Sequence, residues 1–151
     1  MRAVIQRARE ASVSVDGRVV GRIGPGLVVL VGVAPSDSVD DVIALSAKLA
    51  TLRIFRDDDG KMNRSVVDIE GEVLLVSQFT LLAEVGKGRR PSLVGAAAPQ
   101  AAEPLLIELA DRLRREGVAV RTGEFGATMQ VALVNDGPVT IVVDTERGRI
   151  L

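Results

Sequence analysis

A chain of 151 residues is long enough for one domain with a real core, and three Phe with no Tyr or Trp oblige that core to be aliphatic. Cys and His are both absent, which excludes disulfides, thiolate chemistry, Cys/His zinc sites and the Ser-His-Asp and Cys-His machineries; no metal and no cofactor is expected. A net charge of -1 speaks against a broadly basic nucleic-acid surface, so any RNA contact must be local; no DNA partner is expected.

Met1 to Arg7 lacks the apolar region of a signal peptide, and the longest greasy stretch, Leu27 to Ala34, is far too short to span a bilayer. A soluble, cytoplasmic protein with no membrane partner is expected. Val4 to Arg9 and Ser12 to Val15 read as strands, with Asp16-Gly17 as a hairpin signal before Val19. Gly24-Pro25-Gly26 turns the chain, and Leu27 to Val33 has the continuous apolar pattern of a strand buried on both faces. Ser36 or Asp37 would cap a helix with Asp40 and Asp41 in its first turn and Lys48 in its last, matching the macrodipole. Its inner face would be Val39, Val42, Ile43, Ala47 and Leu49.

Leu52 to Phe55 reads as a short strand. Asp57-Asp58-Asp59-Gly60 invites a calcium reading, but the glycine falls at the wrong place for an EF-hand loop, so a solvated turn is expected. Glu72 to Gln78 is another strand. Ala101 to Glu116 repeats Leu105, Leu109 and Leu113 at helical spacing before Gly117, a stop signal. Val118 to Arg121, Thr128 to Val134 and Val139 to Asp144 complete the strands. The expected fold is therefore α+β, a single domain over 1–151 with layered or barrel-like β-sheets and two main helices.

Two segments stand out chemically. Ser77-Gln78-Phe79-Thr80-Leu81 places two hydroxyls and an amide at a strand end, although a Thr80 nucleophile would have no histidine base. In Asn135-Asp136-Gly137-Pro138-Val139-Thr140 the proline cannot donate to a ladder, so it marks a tight turn, an edge or a cis peptide bond. A Gly-Pro pair offers carbonyl acceptors with few competing donors, which suits an ammonium ligand. Lys87-Gly88-Arg89-Arg90 is the compact basic cluster, in a Gly-rich loop suited to a phosphate backbone.

Together with Met1 to Arg7, Gly24-Pro25-Gly26-Leu27, Leu52-Arg53-Ile54-Phe55, Gly60-Lys61-Met62-Asn63 and Gly88-Arg89-Arg90-Pro91-Ser92, these segments resemble the D-aminoacyl-tRNA deacylase family, in order and over nearly the whole chain. Ser77 to Leu81 and Asn135 to Thr140 match the family's signature motifs. The resemblance implies a homodimeric hydrolase that cuts the ester between a D-amino acid and the 3′-terminal ribose of tRNA, with glycyl-tRNA as a plausible secondary substrate. It implies that Gly137 and Pro138 form a cis pair reaching into the partner's pocket, supported by Asn135, Val139 and Thr140, to hold the substrate ammonium and exclude an L side chain. Ser77, Gln78, Phe79 and Thr80 become the catalytic segment, with Phe79 near the terminal base and Lys87, Arg89 and Arg90 as tRNA phosphate contacts. Attack would come from water assisted by the substrate's own 2′-hydroxyl. Leu93 stands where the family usually has Phe, which removes an aromatic face from that loop. Two other readings remain from the residues themselves: a non-catalytic binder of an amine-bearing metabolite or RNA end, and a Thr80 hydrolase of other esters or amides.

Overall fold

The computed structural model describes Met1–Leu151. Strand β1 (Arg2–Val15) runs unbroken through both expected N-terminal strands and turns at Asp16-Gly17 into β2 (Arg18–Ile23), then β3 (Gly26–Gly32) follows. Helix α1 (Val39–Thr51) leads to the short strands β4 (Phe55–Arg56) and β5 (Met62–Arg64), and then to β6 (Glu72–Ser77). A 3-10 turn over Phe79–Leu82 and helix α2 (Pro99–Arg115) precede β7 (Ala119–Thr122), the long β8 (Gln130–Glu146) and β9 (Arg149–Ile150).

One mixed sheet has the order β7-β6-β3-β1-β8-β9, with β2 also paired to β1. The pairings β3-β6 and β6-β7 are parallel and so require crossovers, which α1 and α2 supply. Both helices cover one face, where Ile5, Leu27, Val29, Leu45, Leu49 and Leu109 form the main core. A second, smaller core of Val13, Ile23, Val28, Leu74 and Val76 lies on the opposite face, so β3 is buried on both sides as its unbroken apolar run requires. The α+β expectation therefore holds, as a curled sheet with two helices. No helix is long and apolar enough to cross a membrane.

Several local expectations are corrected. The cap of α1 is Ser38, not Ser36 or Asp37: its hydroxyl accepts from Asp40 N while the Asp41 carboxylate accepts from Ser38 N, a reciprocal capping box. The inward face of α1 differs as well. Its buried face is Val42, Leu45, Ser46, Leu49 and Ala50, while Val39, Ile43 and Ala47 face solvent. The strand expected at Leu52 to Phe55 begins only at Phe55, because Leu52 closes α1 by donating to Lys48 O. Pro99 in the first turn of α2 starts that helix two residues before Ala101, where the fixed φ of proline is favourable. Most consequentially, Thr128 to Val134 and Val139 to Asp144 are not two strands. They are one strand, β8, paired with β1 on both sides of an unpaired stretch at Asp136 to Val139.

Asp41, only 1% exposed, ties α1 to the C-terminal strands by also accepting from Gly148 N at 3.1 Å. Burial alone would push its carboxyl up, but the hydrogen bonds from Gly148, Ser38 and Thr145 outweigh burial and hold it below the usual carboxylate range. A depressed carboxyl contributes stability that is complete above the unfolded-state value of about 3.9 and is lost as pH falls through the folded value. Asp41→Ala should therefore cost about 1–3 kcal/mol at pH 7 by urea unfolding, since it strands buried N–H groups, and the deficit should shrink below about pH 4. A pH-independent deficit would show that the charge plays no part.

Candidate active site

The Ser77 segment is built by the last rung of a parallel ladder. Ser77 lies opposite Val31, and Gln78 N donates to Val31 O at 2.8 Å. Beyond that rung the chain winds into the 3-10 turn, with Leu81 N donating to Gln78 O and Ala83 N to Thr80 O, both at 3.1 Å. Inside the turn the Gln78 amide donates to Thr80 Oγ1. That bond occupies a lone pair of the hydroxyl, and an amide N–H cannot take the hydroxyl proton. Both effects oppose a nucleophilic Thr80.

Beside Ser77 lies a cavity of about 240 Å³, lined among others by Leu75, Glu103, Leu106, Phe125 and Met129. Phe79 is half exposed on the outside of the turn and does not line this cavity, whereas Phe125 does. Phe125 and Met129 were not singled out in the sequence. The available signal was that Phe125 is one of three aromatics and stands between Gly123 and Gly126, a loop site where an aromatic has little core to fill. A larger trough of about 800 Å³, lined by Arg9, Ser12, Arg22 and Val134 among others, contains none of the expected site residues.

Lys87, Arg89 and Arg90 follow on an exposed loop whose neck is closed by reciprocal Glu84 and Ser92 backbone bonds of 2.9 Å. All three cations are free of ion pairs. Leu93 is 40% exposed at the base of the same loop.

The Asn135 to Thr140 segment is an outward excursion of β8. Gln6 of β1 faces Thr140 and Ala8 faces Asn135, so the single residue Arg7 stands opposite Asp136 to Val139. The Gly137-Pro138 bond is cis, and Gly137 has φ +153°. A Cβ at Gly137 would stand 2.7 Å from Val139 N, a backbone atom that cannot move aside cheaply. Asn135 clamps the excursion from within: its Oδ1 accepts from Val139 N at 2.9 Å and its Nδ2 donates to Thr140 Oγ1 at 3.1 Å. Thr140 Oγ1 also accepts from Gln6 Nε2 at 3.2 Å.

Arg7, 2% exposed and not foreseen from the sequence, fills the space beneath. Its Nε donates to Asp136 O at 2.8 Å, its Nη1 donates to Ile54 O, and the Asp136 carboxylate lies 3.4 Å from Nε. A guanidinium suits the place because its rigid fork reaches two carbonyls at once.

The two segments do not meet within one chain. Ser77 lies level with Ala3 of β1 and the excursion lies level with Arg7, three strand positions away across the sheet. Four residues of rise and three strand spacings separate them by roughly 20 Å along the sheet.

A family model described as D-Tyr-tRNA(Tyr) deacylase matches residues 4–144. The chain belongs to the D-Tyr-tRNA(Tyr) deacylase family. Membership makes it a deacylase, an enzyme of the hydrolase class. It is 59% identical over 145 residues to a D-aminoacyl-tRNA deacylase of Roseiflexus castenholzii, covering 96% of this chain and 92% of that one. It is 57% identical over 144 residues to the protein of that name from Deinococcus radiodurans, covering 95% and 99%. Among solved structures, a c-Myc DNA unwinding element binding protein superposes with TM-score 0.90 at 39% identity, covering 97% of this chain and 99% of that one. A probable eukaryotic D-amino acid tRNA deacylase superposes with TM-score 0.83 at 18% identity, covering 93% and 97%, a likeness of fold.

Arg7→Met keeps the volume of this deacylase's buried side chain but leaves the Ile54 and Asp136 carbonyls without their donor. It should cost about 2–3 kcal/mol in urea unfolding, the scale of a charged hydrogen bond broken inside a protein. A cost near zero would mean that the guanidinium does not anchor the excursion.

Proposed function

We propose that this protein hydrolyses the ester of D-aminoacyl-tRNA, releasing the free D-amino acid and tRNA, and that two copies of the chain build each site. The observation that carries this reading is the separation just described. Ser77, where the catalytic segment leaves its strand, and Gly137-Pro138 stand roughly 20 Å apart along the sheet, a span too long for one aminoacyl ester to bridge on one chain. A second copy brings them together. The sheet surface between them supports such pairing, because Val142 is 60% exposed beside the half-buried Val4 and Leu30 on one face. In a two-fold dimer this surface meets itself, and each excursion is carried toward the other subunit's turn.

In this reading the carbonyls of Gly137 and Pro138 accept from the substrate ammonium and fill the space an L side chain needs. Asn135, Val139 and Thr140 hold them by the bonds given above. Glycine has no side chain to exclude, so glycyl-tRNA is a secondary substrate. The terminal adenosine enters the cavity beside Ser77, with Phe125 and Met129 against the base, and Gln78 and Phe79 shape its mouth. Lys87, Arg89 and Arg90, free of carboxylate partners, meet phosphates of the tRNA end.

Catalysis then needs no protein nucleophile. The substrate's 2′-hydroxyl activates a water, which attacks the ester carbonyl carbon, and the ribose 3′-oxygen leaves with a proton. Leading N–H groups of a helical turn lack partners within it, so backbone N–H at Phe79 and Thr80 is available to the developing oxyanion. Thr80 holds the turn together through Gln78 and is not the attacking group.

The deciding experiment measures ester loss from one tRNA charged separately with the D and L forms of one amino acid. Release of D with L spared is the expected result. Survival of both, with folded protein, would favour the non-catalytic binder. Thr80→Ala should slow hydrolysis without abolishing it, whereas complete loss in a folded variant would restore a nucleophilic Thr80. Val142→Glu, which places a charge on the exposed strip, should yield monomers by sedimentation and remove activity. A fully active monomer would overturn the two-copy site.

A further inference from the structure

Gly32 closes β3 with an ordinary extended backbone, so its own conformation does not call for glycine. The turn above it does. A Cβ at Gly32 would overlap Leu82 Cδ2 and stand 3.0 Å from Gln78 O and 3.3 Å from Leu81 Cβ. The Leu82 side chain can rotate away, but the Gln78 carbonyl is main chain and accepts from Leu81 N. It yields only by lifting the turn. Gly95, in the loop beyond, meets the same turn elsewhere, where a Cβ would stand 2.9 Å from Leu82 O. Arg2, held bidentate by Asp144 at 2.7 and 3.0 Å, adds a third contact by donating to Leu81 O at 3.4 Å.

We propose that Gly32 is a positioning residue for deacylation: by admitting no side chain it lets Phe79–Leu82 seat directly on β3, and so fixes the height of the Phe79 and Thr80 main chain against the cavity beside Ser77. This rests on the reading of that turn as the catalytic segment. Gly32 touches no substrate. Its influence passes through Gln78 O and Leu82, and Gly95 works with it from the loop side.

The test is Gly32→Ala, compared with wild type on a D-aminoacyl-tRNA. A misplacement of about 1 Å costs on the order of 100-fold, so a lift of a few tenths of an ångström should lower kcat by about tenfold. KM should change much less, because the cavity walls are untouched. Backbone amide NMR shifts should concentrate at Gln78 to Leu82. Adding Leu82→Ala should return little of the lost kcat, because the Gln78 carbonyl and not the Leu82 side chain forces the lift. A folded Gly32→Ala protein with kcat within about twofold of wild type, or a double variant restored to wild-type kcat, overturns the proposal. If Gly32→Ala does not fold, Gly95→Ala is judged by the same kcat, KM and amide-shift criteria. Wild-type protein that leaves the D-ester intact sinks the deacylase reading instead, and the amide shifts then decide alone whether Gly32 seats the turn.

Discussion

The register of β8 against β1 at Arg7 is the constraint on which the rest of the molecule depends. Four residues of β8 must be accommodated opposite one residue of β1, yet pairing resumes on both sides with Thr140 facing Gln6 and Asn135 facing Ala8. An excursion of that size leaves backbone groups without ladder partners, and buried groups of that kind are costly. The chain answers with two polar side chains. Asn135 substitutes for the ladder inside the excursion, and Arg7 substitutes for it beneath, spanning Asp136 O and Ile54 O. Through Ile54 the excursion is tied to the segment that follows α1, and so to the main core.

Fixing backbone rather than side chains suits a chain with neither His nor Cys. No side chain in it has an ordinary pKa between pH 5 and 8, so proton transfer near neutrality falls to water, to the substrate, or to groups far from their own titration range. What such a protein has to offer is geometry: main-chain carbonyls and N–H groups held where charge develops. Both candidate segments are built that way. The Phe79–Leu82 turn is pressed onto β3 at Gly32, and the Gly137-Pro138 excursion is braced by Arg7. In each case the supporting residue lies on a neighbouring strand, outside the motif it serves.

That displacement explains what could be read from the sequence and what could not. The apolar run at Leu27 to Val33, the Asp16-Gly17 hairpin and the leucine spacing of α2 are local patterns, and each gave its element. Asn135 to Thr140 was legible as a break because proline is a local signal. Its setting was not: nothing within those residues says that the chain keeps its direction and pairs with β1 on both sides. The face of α1 was misjudged because Asp41 and Ser46 are buried through hydrogen bonds while Val39 and Ile43 are exposed. Hydrophobic periodicity cannot register that inversion. Arg7 escaped notice for a similar reason, since an arginine in a strand reads as solvated until the acceptors that bury it are known. Gly32 carried no signal of its own, being one glycine at the end of an apolar strand.

Symmetry completes the reasoning about why both segments lie on one sheet. A rigid sheet holds the turn and the excursion at a fixed spacing and on fixed strands. In the proposed dimer, a two-fold axis through the exposed surface between them would bring each turn toward the other chain's excursion, so that two copies would form two equivalent composite sites. The spacing within the chain then becomes a specification for the pair: lengthening β1 between Ala3 and Arg7 together with the facing stretches of β3 and β8, by two residues each, would preserve pairing and side-chain alternation, yet shift the excursion by roughly 7 Å relative to its partner's turn. Folding and assembly thus place different demands on the same strands, and the second demand is the stricter. The register that Arg7 secures is, in this arrangement, the alignment of two active sites.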